Sequence, residues 1–167
     1  MEIRQLGPED AEAFAAIRLE ALQNEPNAFG ATYEDEKKRT LAEWKERFTA
    51  PRESGYFGAL VNGEIVGTIG YFRQKGKKVR HKAAIVSMYV REAHRGSGMA
   101  AGLMNAALAY LRELGDVDQV QLAVVASNPA AVRFYEKMGF AVYGLEKRAL
   151  KAGDTYFDEL LMNLFLE

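Results

Sequence analysis

Two glycines in the run Arg95-Gly96-Ser97-Gly98-Met99-Ala100 stand between an apolar stretch ending at Val90 and a long amphipathic segment. Lacking Cβ atoms, Gly96 and Gly98 let the backbone approach a ligand and turn several N–H groups toward one point. If the amphipathic segment is a helix, those donors sit at its positive end, and Arg95 adds a full charge. A pyrophosphate suits that arrangement. A Gly-rich loop that merely precedes a helix fits the same residues, so this spacing alone does not decide. Two nucleotide sites match poorly. A dinucleotide fingerprint needs a glycine where Ala101 stands and an acidic residue at the end of the next strand, near Ala126; a P-loop needs a following Gly-Lys-Ser or Gly-Lys-Thr.

About thirty residues on, Ala126-Ser127-Asn128-Pro129 reads as a strand end and a capped helix start, and Gly139-Phe140 as its stop. Asn128 fits both a helix cap and a ligand contact, and the two are compatible. Tyr135 stands at helical spacing from Ala131 and Met138 and fits both a core aromatic and a phenol facing a ligand. The pair of patterns, Arg-x-x-Gly-x-Ala followed by Asn-x-x-Ala-x-x-x-Tyr-x-x-x-Gly-Phe, resembles the GNAT acyl-CoA N-acetyltransferases, and the resemblance runs over nearly the whole chain. It implies acetyl-CoA as co-substrate and no metal. It also implies a splayed strand whose Met88, Tyr89 and Val90 pair with pantetheine, and a diphosphate cradle from Arg95, Gly96, Ser97, Gly98, Met99 and Ala100. Further cofactor contacts fall on Asn128, Ala131 and Tyr135, with Tyr135 as the general acid that protonates the departing thiolate.

An acceptor amine is mostly protonated at neutral pH, so a base must free it before it attacks the acyl carbon. Family members carry a glutamate on one of two strands; this chain has Ala84 and Ala123 there. The base is thereby unassigned, with Glu34 as the candidate ahead of Glu36, against the reading of an acidic surface loop. Arg18 interrupts the apolar face of the first helix and points inward or toward a cleft. Phe29 and Tyr33 in the following loop, and Asp158 in the last strand, complete the acceptor-side candidates; a structural role for Asp158 fits equally well. His81 and His94 are isolated and make no metal site. The expected acceptor is the primary amine of a small molecule or amino acid. A protein-lysine or N-terminal peptide acetyltransferase and a silent acyl-CoA sensor are the alternatives, and a homodimer is among the states the resemblance allows.

The elements that must position these residues follow from periodicity. A short strand precedes a helix running to about Asn24; an irregular connection (25–39) leads to a second helix capped by Thr40. Asn62-Gly63 joins two strands as a hairpin. The basic run from Arg73 to Lys78 reads as an exposed tip before the strand Ala83 to Val90. A helix from about Ser97 to Leu114, a strand, a helix and two closing strands complete an α/β (α+β) pattern. It implies a mixed, mostly antiparallel sheet of about seven strands flanked by four helices in one domain, 1–167. With 22 Lys plus Arg against 23 Asp plus Glu, no general attraction for nucleic acid or an anionic membrane is expected. Cysteine is absent, which excludes thiolate chemistry. No apolar stretch is long enough to span a bilayer, so a cytoplasmic protein is expected.

Overall fold

The computed structural model describes residues 1–167. Seven strands form one sheet: β1 (Glu2–Gln5), β2 (Ser54–Val61), β3 (Glu64–Arg73), β4 (Lys82–Val90), β5 (Gln119–Val125), β6 (Ala141–Ala152) and β7 (Thr155–Phe165), in the order β1-β2-β3-β4-β5-β7-β6. Every neighbouring pair is antiparallel except β4 with β5. Five helices flank it rather than four: α1 (Ala11–Asn24), α2 (Tyr33–Glu36), α3 (Leu41–Glu46), α4 (Met99–Glu113) and α5 (Pro129–Lys137). The extra one, α2, is a single turn inside the connection expected to be irregular. Thr32 starts it by accepting the Asp35 amide at 3.2 Å, and Thr40 starts α3 by accepting the Glu43 amide at the same distance.

Two apolar layers hold the helices. Leu103, Met104, Ala107 and Leu111 of α4 pack on Ile69, Tyr71, Val120 and Met162, with α5 beside them. On the other face, Phe14 and Ile17 of α1 meet Trp44 and Phe48 around Leu60 and Ile65. Phe14 lies 5.3 to 5.9 Å edge-on to Phe48 and Trp44, a favoured aromatic geometry.

The parallel pair is the feature that makes a site. β4 and β5 are registered only from Lys82 opposite Gln119 to Ala84 opposite Gln121; beyond those residues the strands separate. A bulge lies where they part. Thr68 pairs with Tyr89 and Gly70 with Val86, so Ser87 and Met88 together face one residue of β3. Ser87 accordingly takes a left-handed φ of 55°, and Thr68 Oγ1 donates to its carbonyl at 3.2 Å. A bulge bends its strand and increases local twist, which carries the end of β4 away from β5.

Part of the basic run is not an exposed tip. Arg73 is the last residue of β3 and is 3% exposed. Its Nη2 donates to the Arg80 carbonyl at 2.8 Å and pairs with Asp116 at 2.9 Å. Residues 74–78 do project as the connection; Arg73 is drawn in by partners remote in sequence.

Candidate active site

The separation of β4 and β5 opens a mostly apolar cleft of about 340 Å³. Ile85 to Val90 line one side, Leu122 to Val125 the other, and Ala131, Phe134 and Tyr135 of α5 close it; Ala28 and Phe29 border it from the α1 connection. Of the residues singled out in the sequence, Met88, Tyr89, Val90, Arg95, Ala100, Asn128, Ala131, Tyr135 and Phe29 come together here. The Tyr89 side chain turns to the α1 layer, where its hydroxyl accepts from Asn24 Nδ2 at 3.2 Å. Its contribution to the cleft is therefore chiefly backbone.

At one end stands the glycine turn. Gly96 and Gly98 have φ of 75° and 83°, the left-handed region that glycine enters without strain, and nothing lies within 4 Å of where a Cβ would project. Gly98 is the cap of α4, so no side chain satisfies the first amides of this helix, and its first turn contains no acidic residue. Those amides have no intrahelical partners. A helix start left bare, at the positive end of a macrodipole and beside open space, suits a diphosphate. Arg95 turns back toward the cleft, donating Nε to the Val90 carbonyl at 2.8 Å and pairing with Glu25 at 2.6 Å. Ser97 Oγ donates to the His94 carbonyl, which fixes the turn. Met99 is buried in the core.

α5 begins with Asn128, whose Oδ1 accepts the Ala131 amide at 3.2 Å; the cap half of its dual reading is therefore present in the structure. Tyr135, about two turns further on, packs edge-on to Phe134 and Phe140. Burial alone pushes its phenol up to about 12. A phenol shielded from water stays protonated at neutral pH.

The remaining candidates lie outside the cleft lining. Glu34 sits on α2, exposed and paired with Lys37 at 2.7 Å. Tyr33 lies beside the same lysine, 5.3 Å from its ammonium. Glu36 is 6% exposed and held by Arg39 and by Arg47 at 3.0 Å. These arginines hold its carboxyl below the usual range although burial opposes them. Asp158 accepts the amide of Arg148 at 2.8 Å, where Arg148 has φ of 55° and the β6 register shifts. It thus serves a bulge. Arg18 is 8% exposed, with its guanidinium 4.8 Å from the Phe29 ring.

Glu25 is the carboxyl that lines the cleft, and it is committed to Arg95; a second carboxyl, not singled out in the sequence, stands opposite a cleft-lining residue. Glu159 of β7 is the register partner of Val125 in β5 and of Glu146 in β6. Val124 and Leu160, one position away, belong to the α4 and α5 layer, so Val125 and Glu159 point to the opposite face. Burial, reinforced by the neighbouring Glu146, raises the Glu159 carboxyl above its ordinary value. Its signal in the sequence is weak: an acidic residue within an apolar closing strand, with no indication of its cross-strand neighbour.

The Acetyltransferase (GNAT) family model matches residues 17–140, a span that includes the splay, the glycine turn and Tyr135. The chain belongs to this family. It is 34% identical over 134 residues to a mycothiol acetyltransferase from Thermobispora bispora, covering 78% of this chain but only 43% of that protein. It is 28% identical over 119 residues to the L-amino acid N-acetyltransferase AaaT of Escherichia coli, covering 71% of this chain and 73% of the relative. The fold is that of a GNAT superfamily phosphinothricin acetyltransferase from Sinorhizobium meliloti, crystallised in complex with AcCoA; TM-score 0.82, 22% identity, 99% of this chain and 88% of that one. The chain thus spans less than half the length of the mycothiol relative. No helix is long and apolar enough to cross a membrane.

Proposed function

We propose that this GNAT chain is an N-acetyltransferase that moves the acetyl group of acetyl-CoA directly to the primary amine of a small molecule or amino acid. The observation that carries the reading is a strand splay leading into an unsatisfied helix start, with a protonated phenol in the same cleft. The L-amino acid acetyltransferase among the relatives supports this acceptor class.

Acetyl-CoA, when bound, supplies the thioester whose acyl carbon accepts the amine. The first amides of α4 and the turn at Gly96 and Gly98 hold the diphosphate, and Arg95 adds charge beside them. The β5-facing edge of β4 at Met88 to Val90 holds the pantetheine arm. A backbone N–H of the same edge steadies the thioester oxygen as it gains negative charge. Tyr135 gives its phenolic proton to the sulfur as the C–S bond breaks. The gap between β4 and β5 joins the two faces of the sheet, so the acid enters from the α5 side and the amine from the α1 side. Glu159, on that second face and with a raised pKa, takes the amine proton in place of Glu34, which is committed to Lys37.

Two measurements test this reading. Titration calorimetry should detect coenzyme A binding, and free thiol should appear from acetyl-CoA only when an amine is added. Tyr135→Phe should lower kcat by roughly 10²-fold or more while coenzyme A affinity stays within a factor of about three of the parent's. Wild-type protein that binds coenzyme A yet releases no thiol with any amine would point to the sensor alternative.

A further inference from the structure

Arg18 carries a buried positive charge that the protein itself leaves unanswered. Its Nε and Nη1 are fully buried and donate to nothing, and it forms no ion pair. Arg73, the other deeply buried arginine, leaves the same two nitrogens without a partner, but its Nη2 pairs with Asp116. The buried acid closest in charge to Arg18 is Glu36, but that carboxylate is already shared by Arg39 and Arg47. Arg47 adds a second positive charge to the same neighbourhood. A buried cation without a partner is costly to a fold, and retaining one makes sense where a ligand supplies the anion.

The location says which ligand. The Arg18 guanidinium lies 4.8 Å from the ring of Phe29, and Phe29 lines the cleft. Tyr56, which belongs to the same α1-side layer as Phe29, packs with Val86 over Gly70, where a Cβ would come within 2.8 Å of one and 3.1 Å of the other. Val86 lines the cleft as well, on the stretch of β4 just before the bulge. Arg18 therefore stands behind the acceptor end of the cleft, on the α1 face, while Arg95 and the glycine turn serve the other end.

We propose that Arg18 receives the carboxylate of the acceptor beside Phe29, so that the preferred substrates are α-amino acids rather than simple amines. This rests on the acetyltransferase reading above. A planar guanidinium presents paired donors to a carboxylate, and holding that group would direct the α-amine toward the splay. The apolar walls at Phe29 and Val86 suit an acceptor with an apolar side chain.

The test compares L-phenylalanine with phenethylamine and L-leucine with isoamylamine, pairs that differ only in the carboxylate. The wild-type enzyme should favour each amino acid in kcat/KM. In Arg18→Met that preference should fall by about 10²-fold, mostly through KM, and Arg18→Lys should restore part of it. Because Arg18→Met removes an unpaired buried charge, its Tm should equal or exceed the parent's. Binding gives a readout free of turnover: N-acetyl-L-phenylalanine should raise the Tm of the wild-type protein but not of Arg18→Met. An unchanged amino-acid preference in Arg18→Met, or a lowered Tm with equal loss on both members of each pair, would overturn the proposal. A chain with no coenzyme A binding and no thiol release on any amine would instead sink the acetyltransferase reading, and the N-acetyl-L-phenylalanine shift would still judge Arg18.

Discussion

At the scale of single residues, burial drives two groups in the same direction for different uses: Tyr135, which lines the cleft, and Glu159, paired in register with the cleft-lining Val125. Tyr135 is kept protonated and so suited to donate; Glu159 is raised and so suited to accept at neutral pH. If Glu159 is the base, kcat/KM should rise with pH through a limb lying above the ordinary glutamate value, because only the ionised carboxylate takes the amine proton. Glu159→Gln should erase that limb and lower kcat/KM by about 10²-fold. Glu146→Gln removes the like charge opposite, so it should move the limb to lower pH without erasing it. A pH–rate profile of the three proteins decides, and an unmoved limb in both variants would exclude Glu159 as the base. Glu36 works the other way. Its carboxyl is held below the usual range by Arg39 and Arg47. The stability it contributes is therefore present above the unfolded value of about 4.3 and lost as pH falls through the lower folded value. Glu36→Gln should cost about 3 kcal/mol at pH 7, measured by urea denaturation, and the difference from wild type should shrink in acid.

At the scale of elements, what could be read from the sequence was whatever the chain decides locally. The glycine turn, the caps at Thr40 and Asn128, the Asn62-Gly63 hairpin and the stripe on α4 depend on neighbours a few residues away, and the structure has each of them. What was hidden depends on distant partners. Arg73 looked like the start of a solvated run because Asp116, which draws it inward, is forty-three residues on. The α2 turn is hidden in a stretch broken by Pro26 and Gly30, and Glu36 within it is buried because Arg47 of the next helix end reaches back. Ser87 carries no sequence signal of a bulge at all, yet it sets the splay. The bulge makes a sharp prediction. Ser87→Gly relieves a left-handed φ and should leave stability unchanged or raise it by up to about 1 kcal/mol. Ser87→Val should lower it by about 1–2 kcal/mol, since a β-branched residue resists that conformation. Thermal unfolding of the two variants checks the difference. Coenzyme A affinity should fall with Ser87→Val, because the bulge sets the path of β4 along the cleft.

At the scale of the whole molecule, the sheet is continuous through two thick apolar layers but is weakened at one line, the three-residue contact between β4 and β5. The halves on either side remain joined through α4 and α5, which pack across the line from one face. A ligand lying in the splay would bridge strands that share few hydrogen bonds of their own, so occupancy should be felt by the entire fold. At a coenzyme A concentration of about 100 times Kd, binding to the native state adds about 2.7 kcal/mol. For a domain of this size that corresponds to a rise in Tm of about 5–10 °C. The rise should depend on the logarithm of ligand concentration and should be strongest in the exchange protection of β4 and β5 amides. Gly98→Val tests the origin of the effect: a side chain forced to φ of 83° should cost about 1–2 kcal/mol in the free protein and should abolish most of the ligand-dependent rise. If Gly98→Val keeps the full rise, the diphosphate is held elsewhere and the α4 amides are not its cradle.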